Sequence, residues 1–262
     1  MTSPLIALTT DFGAGSHYVA QMKGVIYSAL PAARIVDVTH AIRPQSIRHA
    51  EVVFRSTAFC MPLGTVHVVV VDPGVGTDRR PIAVTAAGMT FVGPDNGVLG
   101  LALKQDGARA VVLDRRSFFR EPVSPTFHGR DIFTPVAAEL AAGLALDDVG
   151  TPIDDAIPST LPAVAKHANG VTGEVLAADD FGNLLTNIPG RYIGAIGDSW
   201  TVRVDGRVAE RVRTYGEGPA QTPLALVGSD GYLEIAVRDG SAVALFGTDD
   251  GLEIECGPGN SA

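Results

Sequence analysis

The chain has 262 residues, 46% hydrophobic and 19% charged, with a net charge of −9. That length allows one large domain or two smaller ones, and the acidic balance argues against a nucleic-acid partner or a polybasic membrane anchor. Cys60 and Cys256 lack the close spacing of zinc sites or redox pairs and read as two buried free thiols in a reducing compartment.

The amino-terminal MTSPLIALTTDFG carries no basic leader, and no apolar stretch of about 18 residues occurs, so a cytoplasmic protein without a membrane span is expected. Pro4 to Thr10 reads as a first strand running into Asp11-Phe12-Gly13. Val19, Met22, Val25, Ile26 and Leu30 then fall at helical spacing until Pro31. A strand over Arg34 to Val38 leads to Thr39-His40, and Ile47 to Cys60 reads as a helix ended by Pro62. Four β-branched valines, Val68 to Val71, predict a strand buried on both faces; it breaks into Asp72-Pro73-Gly74, with Arg79 and Arg80 seven and eight residues beyond the aspartate. Ile82 to Ala86 and Met89 to Val92 form a predicted hairpin around Ala87-Gly88, followed by the polar Gly93-Pro94-Asp95-Asn96-Gly97 and a short helix over Val98 to Leu103. After a short strand and an irregular loop over residues 111–127, Phe127-His128-Gly129-Arg130-Asp131 introduces a helix from Ile132 to Ala142.

Pro158 to Gly170 is rich in proline and alanine and reads as a linker. Strands are expected after it at Gly173 to Ala178, Leu184 to Ile188, Ser199 to Val204, Arg207 to Tyr215, Leu224 to Val227, Gly231 to Val237 and Ser241 to Gly247. The charge balance shifts at the same place. Thirteen cations face fifteen carboxylates in residues 1–160, and seven face fourteen in 161–262. The predicted architecture is therefore an N-terminal α/β domain over residues 1–160 with a largely parallel central sheet, and a smaller all-β, barrel-like domain over residues 161–262.

Polar groups recur at predicted strand ends: Asp11, Asp37, His40, Asp72, Arg79, Arg80, Asp95, Asn96, Phe127 and His128. In α/β sheets the carboxyl ends of strands are where ligands bind, and Asp, His and Arg together suit activation of a water. Isolated strand-end aspartates also cap turns, so the competing reading of Asp72 is structural. A metallohydrolase would draw on Asp11, Asp37, His40, Asp72, Asp95 and His128, but no HExxH, HxH or DxD spacing occurs. No metal is expected. In the second half, Asp179-Asp180-Phe181-Gly182-Asn183 reads as a turn; its functional reading is a stacking face beside a carboxylate and an amide, suited to a purine. Ser229-Asp230-Gly231-Tyr232 is a second turn of that kind, His67 reads as an exposed or hydrogen-bonded strand residue, and Trp200 as core.

Thr9-Thr10-Asp11-Phe12-Gly13, Met22-Lys23-Gly24, Val71-Asp72-Pro73-Gly74-Val75-Gly76-Thr77 with Arg79-Arg80, Gly93-Pro94-Asp95-Asn96-Gly97, Pro125-Thr126-Phe127-His128-Gly129-Arg130-Asp131, Phe181-Gly182-Asn183-Leu184 and Gly231-Tyr232-Leu233-Glu234-Ile235-Ala236 occur in that order. As a series they resemble the S-adenosyl-L-methionine (SAM) hydrolases, also called SAM hydroxide adenosyltransferases, relatives of fluorinase and chlorinase. The resemblance implies attack of water or hydroxide on ribose C5′ of SAM, giving adenosine and methionine, with no cofactor because SAM is the substrate. It places catalysis on Asp72, Arg79 and His128, with Arg80 as an uncertain neighbour and the proton acceptor open between Asp72 and His128. Substrate binding falls on Asp11 at the ribose diol, Phe127 at the ribose and sulfonium, Asp179, Phe181 and Asn183 at methionine or adenine, and Ser229 with Tyr232 near the methionine carboxylate. It further implies a homotrimer with sites at subunit interfaces. The halogenase relatives carry Tyr, Thr and Ser at the positions of Asp72, Val75 and Gly129, and an aspartate repels a halide. A SAM-dependent halogenase and a non-catalytic SAM or adenosine binding module are the alternative readings.

Overall fold

The computed structural model describes residues 3–196 and 200–258 and divides into two units, Met1–Thr160 and Leu161–Ala262. In the first unit, β1 (Leu5–Thr10), β2 (Arg34–Thr39), β3 (Val66–Val70), β4 (Pro81–Ala86), β5 (Met89–Pro94), β6 (Arg109–Leu113) and β7 (Gly150–Ile153) make one sheet in the order β2-β1-β3-β5-β4-β6-β7. The β2-β1, β1-β3 and β3-β5 pairs are parallel, and the β5-β4, β4-β6 and β6-β7 pairs are antiparallel. The sheet is thus mixed, parallel over the half that carries the strand-end polar groups. Direction reverses at Ala87-Gly88, where φ is 50° and 74°; two left-handed residues match the twist of a tight hairpin.

Helices α1 (His17–Ala29), α2 (Ile47–Thr57), α3 (Gly100–Leu103) and α4 (Thr134–Ala141) cover both faces. The hydroxyls of Ser16 and Ser46 start α1 and α2 by accepting the backbone N–H of Tyr18 and His49. Period-two alternation along β3 splits the core. Val66, Val68 and Val70 pack with Met22, Ile26 and Val136 on one side, whereas Val69 and Val71 pack with Ala50, Phe54 and Leu99 on the other. Full burial of each such side chain contributes roughly 1.5–3 kcal/mol, which anchors the loop that begins at Asp72.

His67, on the Phe54 side of β3, departs from the sequence expectation. It is 2% exposed, its ring stacks on Phe91 at 5.0 Å, and Nε2 is buried without a hydrogen-bond partner among the described residues. Burial pushes its pKa down from 6.5 to about 4. Unfolded chains take up the proton near pH 6.5 and the native state only near pH 4, so stability is complete above the first value and falls as pH drops towards the second. A loss of about 3 kcal/mol over that window is expected, and His67→Leu should flatten it. Urea melts of both proteins at several pH values check this; parallel curves for the two would refute it.

In the second unit, β8 (Ala165–His167), β9 (Gly170–Ala178), β10 (Leu184–Pro189), β11 (Trp200–Val204), β12 (Arg207–Arg211), β13 (Pro223–Val227), β14 (Tyr232–Val237) and β15 (Glu253–Pro258) run in the order β10-β14-β13-β12-β11-β15-β9-β8. The β9-β10 pairing closes seven of them into a barrel around Val175, Ile188, Val202, Ala225, Ile235 and Ile254. Two short helices, α5 (Gly190–Ile196) and α6 (Ala242–Phe246), complete the unit.

Several local expectations are corrected. Ser241 to Gly247 is not a strand: the Ser241 hydroxyl accepts the Ala244 N–H and Gly247 ends α6 at φ 72°. Cap residues decide a short apolar run whose period is ambiguous. Ser199, the expected first residue of β11, lies outside the described residues. The segment read as a linker is largely held in place. Thr160 donates its N–H and hydroxyl to Glu51 Oε2 at 3.1 and 2.5 Å, and a Cβ at Gly100 would lie 1.9 Å from Ser159 N. Cys60 is exposed and only Cys256 is buried, which raises the Cys256 thiol to about 12.

Candidate active site

Parallel β1, β2, β3 and β5 end on one edge of the first sheet, which brings Asp11, His40, Asp72 and Asp95 to that edge. At its centre Arg79 returns to Asp72. Arg79 Nε donates to Asp72 Oδ1 at 3.0 Å, and Nη2 donates to Asp72 Oδ2 and to His128 Nδ1, the latter at 2.9 Å. The side chains of Arg79 and Asp72 are 7% and 5% exposed, so this pair operates out of bulk water. Arg79 Nη1 is buried with no partner among the described residues, a donor left over in a low-dielectric pocket. The Arg79 guanidinium also lies 5.4 Å from the centre of the Phe133 ring.

No nitrogen of the Arg79 guanidinium can accept, so His128 Nδ1 is an acceptor and the proton of the neutral ring sits on Nε2. Burial, and then the Arg79 charge, push the His128 pKa below its ordinary 6.5, while Asp72 and Asp131 pull the other way. Protonation would place a hydrogen on Nδ1 facing an Arg79 donor.

Local backbone makes the triangle possible. Gly76 has φ 80°, and a Cβ there would lie 2.4 Å from the Pro125 carbonyl oxygen, so the 72–79 loop meets the 125–128 loop only with glycine at this point. His128 precedes a π-helical turn, Gly129–Phe133, that leads into α4; the Thr134 hydroxyl donates to Gly129 O at 2.9 Å. Asp131, fully buried, accepts from Arg120, Arg130 and the Ser124 N–H. Burial would raise its carboxyl, but those three donors outweigh it and hold the pKa below normal. Asp131 thereby ties the 120–124 loop beneath His128. It stands inside a motif already singled out, yet only the tertiary contacts assign this task.

Arg80 faces another way, to Asp95 Oδ2 at 2.6 Å and Asp155 Oδ1 at 2.7 Å. Asp95 also accepts the Ile157 N–H, and Asn96 donates to Val71 O; both act structurally. Asp11 Oδ2 accepts the Gln45 N–H at 2.7 Å. Phe127 is 7% exposed and meets Phe12 and Tyr18 edge-on at 5.8 and 5.1 Å, with Arg130 over its ring. Among the described residues no group of three or more His, Cys, Asp or Glu is arranged to hold a metal ion, and no helix is long and apolar enough to cross a membrane.

In the second unit Asp179 organises its own turn, accepting the N–H of Phe181 and Asn183 and the Asn183 amide at 2.8–3.0 Å. The Phe181 ring stands 82% exposed at the tip. Ser229 and Tyr232 flank the β13-β14 turn, where Gly228 N–H donates to Tyr232 O at 2.8 Å. Between the two turns Glu234 accepts the Tyr215 hydroxyl at 2.7 Å. Burial, with Asp179 and Asp230 nearby, raises the Glu234 pKa against that hydrogen bond.

The family model described as SAM hydroxide adenosyltransferase N-terminal domain matches residues 6–150, and that for the C-terminal domain matches residues 173–255. A Salinispora tropica protein named (R)-S-adenosyl-L-methionine hydrolase is 41% identical over 95% of this chain and 96% of its own. A fluorinase from Actinoplanes sp. is 27% identical over 96% of this chain and 97% of its own. The crystal structure of an uncharacterized conserved protein from Thermotoga maritima superposes with a TM-score of 0.89 at 37% identity, covering 96% of this chain and 99% of that one.

Proposed function

The chain belongs to the SAM hydroxide adenosyltransferase family, and on that premise we propose that it hydrolyses SAM to adenosine and L-methionine by metal-independent attack of water at ribose C5′. The observation that carries the reading is the Asp72-Arg79-His128 triangle, with the Asp72 and Arg79 side chains buried and an unspent Arg79 Nη1 donor. Water forms the O–C5′ bond while the C5′–S bond breaks, its electron pair neutralising the sulfonium. The thioether leaves uncharged and needs no general acid. What remains is to align a nucleophile and take its proton.

With His128 holding its proton on Nε2, Asp72 is the better proton acceptor. The oxygen becomes strongly acidic as its bond to carbon forms, so a carboxylate suffices. Arg79 Nη1 and His128 Nε2–H stabilise the partly deprotonated oxygen. Asp11 takes the ribose diol and Phe127 packs beside it; Phe181 stacks on the adenine, Asn183 and Asp179 support it, and Ser229 and Tyr232 meet the methionine end. The proposed assembly is a cytoplasmic homotrimer with its sites at subunit interfaces; sedimentation equilibrium tests it. A negative carboxylate at Asp72 disfavours halide as nucleophile.

Incubation with SAM in labelled water and EDTA should place one labelled oxygen in the adenosine 5′-hydroxyl. Label elsewhere, an unchanged ligand, or activity restored only by added metal would overturn the reading. The acid limb of kcat/KM is expected below the ordinary imidazole midpoint near 6.5, because burial and Arg79 depress His128 and activity needs its neutral form. A pH-rate profile checks this, and an acid limb above that midpoint would refute it.

A further inference from the structure

The turn after β1 is tied twice to His40 at the neighbouring strand end. The buried Thr10 hydroxyl lies 2.9 Å from His40 Nδ1 and also accepts the Phe12 N–H at 3.3 Å. Gly13 N–H donates to the His40 carbonyl at 2.7 Å. Behind it, His40 Nε2 meets Asp37 Oδ1 at 3.0 Å, and Lys23 Nζ donates to Asp37 Oδ2 at 2.6 Å. Burial would raise the Asp37 carboxyl, but Lys23 and His40 more than offset it and hold it below its usual range.

Directions follow from the donor inventory. Ionised Asp37 only accepts, so His40 Nε2 carries a proton, and in the neutral ring Nδ1 accepts from the Thr10 hydroxyl. That leaves the Thr10 oxygen lone pairs for Phe12 N–H. With His40 neutral, every bond in the chain from Lys23 to Phe12 has one direction. Inside this frame stands Asp11, whose Oδ2 is fixed by the N–H of Gln45, a non-glycine residue at φ 65°. The left-handed Gln45 also accepts the Ile47 N–H at 3.2 Å, so the residue that fixes Asp11 belongs to the turn leading into α2. Asp11 Oδ1 has no partner among the described residues.

We propose that His40 is a positioning residue for substrate binding: through Thr10 it holds the 10–13 turn so that Asp11 meets the ribose hydroxyls of SAM. The inference rests on the functional reading above and extends it to residues that touch no substrate. It assigns to Asp37 and Lys23 the orientation of the His40 ring.

The test compares SAM with its analogue lacking the ribose 2′-hydroxyl, in wild type, Asp11→Ala, Thr10→Val, His40→Leu and His40→Asn. Thr10→Val keeps the buried shape and removes only the hydroxyl. Thr10→Val and His40→Leu are expected to raise KM for SAM roughly tenfold with kcat within about twofold, and to shrink the preference for the natural ribose. His40→Asn, which keeps an acceptor near the Nδ1 position, should recover part of that loss. If Asp11→Ala abolishes ribose preference while Thr10→Val and His40→Leu leave it intact, the positioning role is wrong and the ribose role of Asp11 stands. Unchanged preference in Asp11→Ala removes both. A fall in kcat at constant KM in Thr10→Val points to a structural role and also overturns the inference.

Discussion

Replacing Asp72 with asparagine is expected to lower kcat for SAM hydrolysis by about a thousandfold, with KM little changed. The amide is nearly isosteric but lacks the basicity to accept the water proton. One of its two polar ends is also a donor, which turns an Arg79 contact from attractive to repulsive. Both side chains are almost wholly buried, so no solvent compensates. The measurement is single-turnover hydrolysis with purified variant, alongside a denaturation curve to show that the protein is folded. A folded Asp72→Asn enzyme within tenfold of wild type would move the proton-accepting role elsewhere, and His128→Asn would then be the variant to examine.

Arg79→Ala should be damaging twice. It leaves the Asp72 carboxylate, 5% exposed, without its cation; stranding a buried charge in this way costs about 3–5 kcal/mol of stability. It also removes the donors to His128 and to the reacting oxygen, an electrostatic loss on the order of 10²–10³ in kcat. Arg79→Lys should not rescue, because one ammonium cannot span two carboxylate oxygens and an imidazole as the planar guanidinium does. The matching test is the double variant with Asp72→Asn. If the two act as a unit, its activity and urea midpoint fall well short of the summed single losses. Additive effects would show that the pair is coincidental.

Much of the framework was legible in order along the chain. Consecutive valines marked β3 as a core strand buried on both faces, apolar runs ended by Pro31 and Pro62 marked α1 and α2, and polar clusters followed each strand. The closed barrel was legible as alternation, but its closing pair β9-β10 and its last strand β15 were not. Short strands and helices share the same apolar composition, which is why the α6 run predicts a strand; His67 predicts an exposed or hydrogen-bonded strand residue for a different reason. A strand residue is buried on both faces only once its neighbours in the sheet are known.

Taken alone, the sequence determined the carboxylate at the end of a valine strand, the arginine seven residues beyond it, and the ordered motif series that names the family. Local chemistry and spacing suffice for these. Tertiary structure decided which arginine faces Asp72, since Arg79 reaches His128 across 49 residues and Arg80 reaches Asp155 across 75. It also decided that His128 Nδ1 is an acceptor, and that Thr10, His40 and Asp37 form one hydrogen-bonded chain. Such contacts depend on parallel strands delivering distant loops to one edge, and on burial that makes each unpaired donor or acceptor costly.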